Sequence, residues 1–332
     1  MKKALVLGAG GFIGHHLVSR LKREQYEVIG VDLVKPIYED SLADQFIIGD
    51  LRNLDFVQQI IPSDLDELYQ LAADMGGAGY VFSGSHDADI MSNSIQINVN
   101  VTKVAVEKEV KKIFYASSAC MYPKYNQENP ELVNCSESSA YPALPDSEYG
   151  WEKLFSERLY MSYHRNYGLE VRIGRFHNIY GPKGAWNNGK EKSPAALCRK
   201  IASAKPNDSI EIWGDGEQLR SFLFIDDCLD AVRLLMQSNY TSPINIGSEE
   251  MISINGLSRL IQTIAQKEVK HDYISGPIGV RARCSDNRLI EKYLNWTPQI
   301  SLKEGMRILY NWIEAELNKN ENTAKYEAKE KA

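Results

Sequence analysis

The chain has 332 residues, of which 43% are hydrophobic and 25% charged, so it is long enough for one large domain with a smaller lobe. No apolar run approaches the roughly 20 residues of a membrane-spanning helix, and the basic residues form no stripe, which argues against membrane and nucleic-acid partners. The five cysteines are scattered without zinc spacing, and the apolar start runs into glycines too early for a secretory signal. We therefore expect a cytoplasmic protein without disulfides or a metal.

Short β-rich runs alternate with longer amphipathic stretches in the first half of the chain. The runs are KALVLGA, YEVIGVD, QFIIGD, ELYQLAA, KIFYASS and LEVRIGRF. This alternation predicts an α/β protein with a doubly wound, parallel Rossmann sheet. The longest helical patterns of this half lie within 90–109 and from about 147 to 167.

The pattern changes after residue 176, where a loop rich in Gly, Asn and Lys precedes short strand and helix pieces and a final helix from about 301 to 317. The segments RSFLFIDD and PINIG could return strands to the main sheet. We therefore predict a Rossmann domain at 1–176 plus about 221–247. A smaller α/β substrate-binding lobe is predicted at about 177–220 and 248–317, followed by a charged tail at 318–332 that frays as solvated helix or disorder.

A glycine-rich turn joins the first strand to the first helix. Gly8, Gly11 and Gly14 stand in GAGGFIG, where bare backbone at a helix N-terminus can approach a pyrophosphate. Asp32 ends the second strand, where a carboxylate binds an adenosine ribose and repels a 2′-phosphate, so NAD is favoured over NADP. Asp50 is a candidate for the adenine end. The other predicted cofactor contacts are Phe12, Ile13, Leu51, Leu71, Tyr149 and Lys153.

A tyrosine and a lysine lie one helical turn apart in YGWEK. Tyr149 and Lys153 therefore project from one face, and the ammonium, with a positive nicotinamide, is expected to lower the pKa of the tyrosine so that it acts as a base. Ser117 and Ser118 follow the fifth strand, at the edge where open α/β sheets bind ligands. We predict the catalytic groups at this edge.

These glycines, Asp32, Ser118, Tyr149 and Lys153, in this order, resemble the extended short-chain dehydrogenase/reductase family of nucleotide-sugar epimerases, dehydratases and reductases. The resemblance implies that Tyr149 takes a proton from a sugar hydroxyl as hydride leaves for NAD. It also implies that Lys153 holds the nicotinamide ribose and that Ser118 hydrogen-bonds the same sugar oxygen.

A finer resemblance, to epimerases of GDP-linked hexoses, extends from about residue 2 to residue 317. It is carried by stretches such as LAADMGGAGY, YASSACMYP, GKEKSPAALCRK, WGDGEQLRSFLFIDD and GPIGVRARCSDN. It implies that transient oxidation at carbon 4 of GDP-mannose acidifies the protons at carbons 3 and 5. By the same resemblance, Cys120 removes a proton and Lys192 returns one from the other face, at carbon 3, carbon 5 or both.

A GDP-sugar brings two phosphates and a planar base, which call for cations and amides. The matching positions predicted to bind substrate are Gly77, Ala78, Ser118, Asn178, Lys192, Gln218, Arg220 and Arg281. Arg281 is the leading candidate for the phosphates, and the glycines around Ala78 are expected to let backbone approach the hexose. The family also implies a homodimer packed through the helices at 90–109 and 147–167.

Three other functions stay open. A GDP-fucose synthase type of enzyme epimerises a GDP-linked 4-keto sugar and then reduces it with NADPH, but such enzymes pair the cysteine with a histidine where this chain has Lys192. The substrate could also be a GDP-heptose. A third alternative is an inactive dinucleotide-binding regulator or scaffold. The loss of Tyr149 or Lys153 would favour it, but both residues are present.

Overall fold

The computed structural model describes residues 1–330, with side chains described to Lys319. The strands are β1 (Lys3–Leu7), β2 (Glu27–Asp32), β3 (Gln45–Ile48), β4 (Glu67–Gln70), β5 (Ile113–Ser118), β6 (Val171–Phe176), β7 (Ile179–Tyr180), β8 (Ser209–Trp213), β9 (Leu219–Ser221), β10 (Leu223–Phe224), β11 (Ile244–Ile246), β12 (Met251–Ser253), β13 (Lys270–Ile274) and β14 (Ala282–Arg283). The helices are α1 (Phe12–Arg23), α2 (Leu54–Ile60), α3 (Ala78–Val81), α4 (Asp87–Glu107), α5 (Glu148–Tyr167), α6 (Ser193–Ser203), α7 (Ile225–Gln237), α8 (Ile254–Ala265), α9 (Arg288–Leu294) and α10 (Leu302–Glu330).

The central sheet has seven strands in the order β11-β6-β5-β4-β1-β2-β3, and every neighbouring pair is parallel. The predicted doubly wound parallel sheet is therefore confirmed, as is the return of PINIG to it as β11. The prediction for RSFLFIDD is wrong, because β9 joins a sheet with β12 and β14, and β10 pairs with β7. Strands of two or three residues carry no period that indicates their partner.

Two cores cover the two faces of this sheet, because successive side chains of a strand point to opposite sides. Ala4 and Val6 of β1 pack into the core beneath α1 and α7, whereas Leu5 and Leu7 pack into the core beneath α2, α4 and α5. All four side chains are fully buried. The carboxyl ends of the strands consequently meet at one edge, where the loops that carry the predicted site residues converge.

A smaller unit sits after β6. It contains the parallel pair β8 and β13, the sheet β12-β9-β14, and the mutually packed helices α6, α8 and α10. The final helix begins near the predicted position but continues to Glu330, so the tail predicted to fray is helical as far as the structure describes it. Residues 331–332 lie outside the described range. The predicted domain boundaries stay a prediction.

No helix within residues 1–330 combines the length and the apolar composition that crossing a bilayer requires.

Candidate active site

The turn between β1 and α1 is built from backbone at close quarters. Gly8 has a φ of +85°, and a Cβ there would lie 2.8 Å from the backbone nitrogen of Ala72. A Cβ on Gly14 would lie 2.0 Å from the carbonyl oxygen of Gly8. Both positions require glycine, whereas a Cβ on Gly11 would meet nothing nearer than 3.4 Å, so its exposed face is free for a ligand.

Asp32 lies beside this turn at the end of β2. Its carboxylate accepts hydrogen bonds from the backbone N–H of Gly10 at 2.9 Å and of Leu33 at 2.7 Å. The first residue before α1, Gly11, offers no side-chain cap, so the helix N-terminus keeps N–H groups for an anion. The turn, the helix end and the carboxylate thus fit a dinucleotide with a free ribose diol.

The other predicted cofactor residues surround the same edge. Phe12 and Ile13 are the half-buried first residues of α1, and the half-buried Leu71 follows β4. Leu51 is buried at 4% exposure and belongs to the core. Asp50 forms an ion pair with Arg52, which lowers the pKa of the Asp50 carboxyl, so this carboxylate is already occupied within the protein.

The predicted catalytic Tyr149, Lys153 and Ser118 lie together at the end of β5. Tyr149 is 8% exposed, and its hydroxyl is close enough to Ser118 for this serine to lower the pKa of the tyrosine in part. Lys153 is 3% exposed, and its Nζ lies 5.5 Å from the centroid of the Tyr149 ring and donates to the carbonyl of Ala116 at 3.1 Å. Ser117 points elsewhere and donates to the buried Glu157 at 2.5 Å.

The lowering of the Tyr149 pKa by Lys153 together with a bound nicotinamide stays a prediction, and the protein alone has the opposite shift. Burial raises the pKa of Tyr149 well above its usual value, and the neighbouring Cys120 and Glu152 raise it further. Ser118 and Arg283 oppose this rise only in part. The Lys153 ammonium instead bonds the Ala116 carbonyl.

Cys120 and Lys192 are the predicted base and acid, and Cys120 influences the pKa of Lys192. Cys120 lies in the 3-10 turn Ala119–Met121 directly after β5, where its backbone N–H donates to the Ser118 hydroxyl at 3.2 Å. Lys192 directly precedes α6, and the carboxylate of its neighbour Glu191 pairs with Arg199 at 3.0 Å. Burial lowers the pKa of Lys192, while Cys120 and Cys228 partly raise it. A lowered pKa makes this ammonium a better proton donor.

The glycine segment before α3 packs against protein backbone. Gly77 donates its N–H to the carbonyl of Lys190 at 2.9 Å, and a Cβ there would lie 2.3 Å from the carbonyl oxygen of Glu191. The close approach that Gly77 permits is therefore to the segment leading into Lys192. Ala78 begins α3 and is half-buried.

The two arginines predicted to bind the substrate differ in their surroundings. Arg281 is at the surface, where it pairs with Asp215 at 2.9 Å. Arg220 donates to three backbone carbonyls and has no carboxylate partner within the described residues. Burial and the neighbouring Arg283 lower the pKa of Arg220 to about 10. Arg220 is therefore the better placed cation for an anion.

Two amides lie near this cation. Asn178 donates to the carbonyl of Ser221 at 2.8 Å. Gln218 is 6% exposed and donates to the carbonyl of Trp213 at 3.1 Å, but its own Oε1 has no hydrogen-bond partner within the described residues. An unpartnered buried oxygen is costly, which suits a site that waits for a donor on the ligand.

Sequence reasoning missed two residues at this site. Arg283 contacts Cys120, and Gly150 in α5 lies where a Cβ would be 2.2 Å from the carbonyl oxygen of Cys120. The signal for Gly150 was a glycine inside a helical pattern, directly after the catalytic tyrosine. His177 is fully buried and bonded to Asn245 at 2.9 Å, in keeping with a packing role.

Comparison with known proteins identifies the family. The sequence profile of the NAD dependent epimerase/dehydratase family matches residues 4–247. The chain belongs to this family. A GDP-mannose 3,5-epimerase from Arabidopsis thaliana is 44% identical over 319 residues, which is 96% of this chain and 83% of that protein. A GDP-L-fucose synthase 1 from the same plant is 28% identical over 315 residues, 93% of this chain and 92% of that protein.

Solved structures agree with the family. A UDP-glucuronic acid 4-epimerase from Bacillus cereus, in complex with UDP-glucuronic acid and NAD, has a TM-score of 0.80 at 26% identity and covers 94% of this chain and 99% of that one. The predictions of an NAD-dependent epimerase, of NAD as its cofactor and of a nucleotide-sugar substrate are confirmed. Within residues 1–319, whose side chains are described, no group of three or more His, Cys, Asp or Glu is arranged to hold a metal.

Proposed function

We propose that this epimerase converts GDP-mannose by inverting carbons 3 and 5 through a transient 4-keto sugar. The observation that carries the proposal is the position of Cys120, which packs against the cluster that contains Tyr149 and donates its backbone N–H to the Ser118 hydroxyl at 3.2 Å. Oxidation at carbon 4 needs one base and a hydride acceptor, whereas removing and returning protons on a carbon needs a further base and acid. The 44% identical GDP-mannose 3,5-epimerase supports the choice of sugar nucleotide.

The cofactor would be held by Gly8, Gly11 and Gly14 at the pyrophosphate and by Asp32 at the ribose. Bound there, NAD supplies a hydride acceptor at carbon 4 and later the hydride donor that restores the hydroxyl. Lys153 lies beneath the tyrosine ring, in position to orient a ribose hydroxyl.

Tyr149 and Ser118 act on the carbon 4 oxygen in this proposal. Ser118 influences the pKa of the Tyr149 hydroxyl, so the two side chains are near enough for one sugar hydroxyl to contact both. Tyr149 accepts the proton of that hydroxyl and Ser118 donates a hydrogen bond to the same oxygen. The proton returns from Tyr149 at the end of the reaction, so the enzyme is regenerated.

Cys120 and Lys192 act on the carbons beside the ketone. The sulfur takes a proton whose acidity the carbonyl has raised, and the ammonium delivers a proton from the opposite face of the ring. The lowered pKa of Lys192 favours that delivery. Arg220 and Gln218 then serve the diphosphate and the base or ribose, and Asn178 and the more exposed Arg281 complete the substrate contacts.

The proposal is tested with GDP-mannose in deuterated water. Cys120→Ala is expected to stop deuterium entering carbons 3 and 5 while NAD stays bound, because the base is gone and the cofactor turn is untouched. Cys284→Ala is the matched control, since Cys284 is also a free, half-buried thiol but bonds backbone carbonyls. Normal exchange in Cys120→Ala would remove the cysteine from the mechanism.

Two other activities are distinguished by the substrate and the cofactor that the protein consumes. A GDP-fucose synthase type of enzyme would consume NADPH on a 4-keto sugar, and the 28% identity to such a protein is well below that to the epimerase. An epimerase that prefers a GDP-heptose would exchange that substrate faster than GDP-mannose. An inactive scaffold would exchange deuterium into neither.

We also propose a cytoplasmic homodimer that packs through α4 and α5. These helices contact each other, and α5 exposes Trp151 at 38% and Phe155 at 46%, one turn apart. Five free thiols fit a reducing compartment. Light scattering of the wild type and of Trp151→Glu/Phe155→Glu tests the dimer, and cell fractionation tests the compartment; a monomeric wild type rejects the first proposal.

A further inference from the structure

Arg283 is a buried cation that contacts the Cys120 sulfur, although the two residues are far apart in the sequence. It lies on β14, in register with Arg220 on β9, and is 5% exposed. Its Nη1 is 3.0 Å from the Cys120 Sγ, across 163 residues of sequence. The proposed base therefore has a permanent positive neighbour.

Two buried side chains fix the position of this guanidinium. Its Nη2 donates to the Asp146 carboxylate at 2.6 Å, and its Nε donates to Gln127 Oε1 at 2.5 Å. Asp146 is only 4% exposed at its side chain, and Gln127 is fully buried. With two of its edges held, the planar guanidinium can present Nη1 in one direction only, which is toward the sulfur.

The chemistry of a thiol base requires such a neighbour. The thiolate, rather than the thiol, accepts a proton, and a half-buried thiolate needs a compensating charge. Arginine stays protonated under all ordinary conditions, so it can donate to sulfur without competing for the proton. A charge-assisted hydrogen bond also restrains the χ1 angle of the cysteine, which keeps the sulfur aimed.

We propose that Arg283 is a positioning residue that holds the Cys120 sulfur as a thiolate and fixes its direction in the active site. This rests on the proposed function, in which Cys120 is the base. Asp146 and Gln127 act through Arg283. An ordinary structural ion pair between Arg283 and Asp146 would leave the reactivity of the sulfur unaffected.

The test measures the alkylation rate of Cys120 by iodoacetamide in the purified full chain without sugar, resolved by peptide mass spectrometry. Arg283→Gln is expected to slow Cys120 alkylation by about 10- to 100-fold, the usual effect of losing a hydrogen bond from a charged group. Arg283→Lys keeps the charge and should recover part of the rate. Alkylation of Cys284 should not change in either variant.

Arg172→Gln is the matched control, because Arg172 is 1% exposed and pairs with Glu170 far from the sulfur. Wild-type alkylation of Cys120 in a folded Arg283→Gln, or equal slowing in Arg172→Gln, overturns the inference. If Arg283→Gln does not fold, the ultraviolet thiolate absorbance of wild type minus Cys120→Ser decides, and no difference overturns it. Deuterium exchange that persists in Cys120→Ala refutes the proposed function while the alkylation result stands.

Discussion

The tyrosine that starts the proposed reaction resists ionisation in the protein alone. Burial raises its pKa, and Glu152, which is fully buried and has an oxygen without a hydrogen-bond partner in the described part of the chain, adds to this effect. We therefore expect Tyr149 to ionise only once the positive nicotinamide is bound, so that it can accept the sugar proton as hydride departs.

Replacing Tyr149 by Phe removes that base and keeps the packing of the ring. We expect formation of the keto sugar to slow by about 10²–10⁴-fold, as is usual when a general base is lost. The rate of deuterium entry into GDP-mannose measures it. Tyr167→Phe, at a tyrosine that is 64% exposed, is the control and should match the wild type. Unchanged exchange in Tyr149→Phe would leave this residue without a role in the oxidation.

His177 makes the stability of the protein depend on pH. Burial lowers its pKa to about 3, and its Nδ1 has no hydrogen-bond partner among the described residues. The unfolded chain binds a proton near the ordinary pKa of about 6.5, so the unfolded state gains protons first as the pH falls. Stability from this group is therefore complete at neutral pH and is lost progressively from about pH 6.5 down to about pH 3.

Urea unfolding at about pH 7 and about pH 4 measures this effect. The wild type is expected to lose about 3 kcal/mol from His177 between the two. His177→Gln keeps a donor for the Asn245 oxygen but does not titrate, so its loss should be smaller by that amount. Equal losses in both proteins would show that the histidine is already protonated or does not stay buried.

At the scale of elements, the contact between α5 and the turn after β5 sets the geometry of the site. Gly150 lies in the first turn of α5, and its N–H is capped by Ser147 at 3.3 Å. The absence of a side chain lets the helix approach the Cys120 carbonyl. Tyr149 and the turn with Cys120 are thereby held against each other.

Gly150→Ala is expected to separate these two elements. The new Cβ would lie 2.2 Å from a backbone oxygen, so the helix or the turn must move, at a cost of about 1–3 kcal/mol. The midpoint temperature of thermal unfolding and the rate of deuterium exchange into GDP-mannose should both fall. In Gly256→Ala, where the nearest atom belongs to the Ile252 side chain, we expect a milder change. A fully active Gly150→Ala would show that this contact can accommodate a methyl group without disturbing the active site.

The sequence predicted the strands that have a local signature. β1 to β6 are apolar runs of four to six residues bounded by turns, and each was recognisable alone. The pairing of β9 and β10 was not, because two or three residues contain no period. At the site, the spacing of Tyr149 and Lys153 was informative, but GVRAR holds two arginines, and only the fold turns Arg283 inward and Arg281 toward Asp215.

At the scale of the whole molecule, the chain leaves the central sheet and returns to it. β11 pairs with β6, and α7 covers the sheet beside α1 with buried residues such as Cys228, Leu229 and Val232. The first 176 residues therefore lack one strand and one covering helix of their own sheet. We therefore expect that the Rossmann domain cannot be separated from the rest of the chain by ending it after residue 176.

A fragment of residues 1–176 is consequently expected to aggregate, since β6 becomes an open edge and the core beneath α7 is exposed. The measurement is the yield of soluble fragment and its thermal stabilisation by NAD. The full chain is the control. A soluble fragment whose melting temperature rises with NAD would show that the first 176 residues suffice for a folded cofactor site.

The large sequence separation between Cys120 and Arg283 also sets an order of events during protein synthesis. The sulfur at position 120 emerges 163 residues before its guanidinium partner, which at ordinary elongation rates is a delay of about 8 to 33 s. A nascent chain can form its nucleotide-binding turn early, yet its reactive thiol stays without a counter-charge until Arg283 has been synthesised and has folded against it.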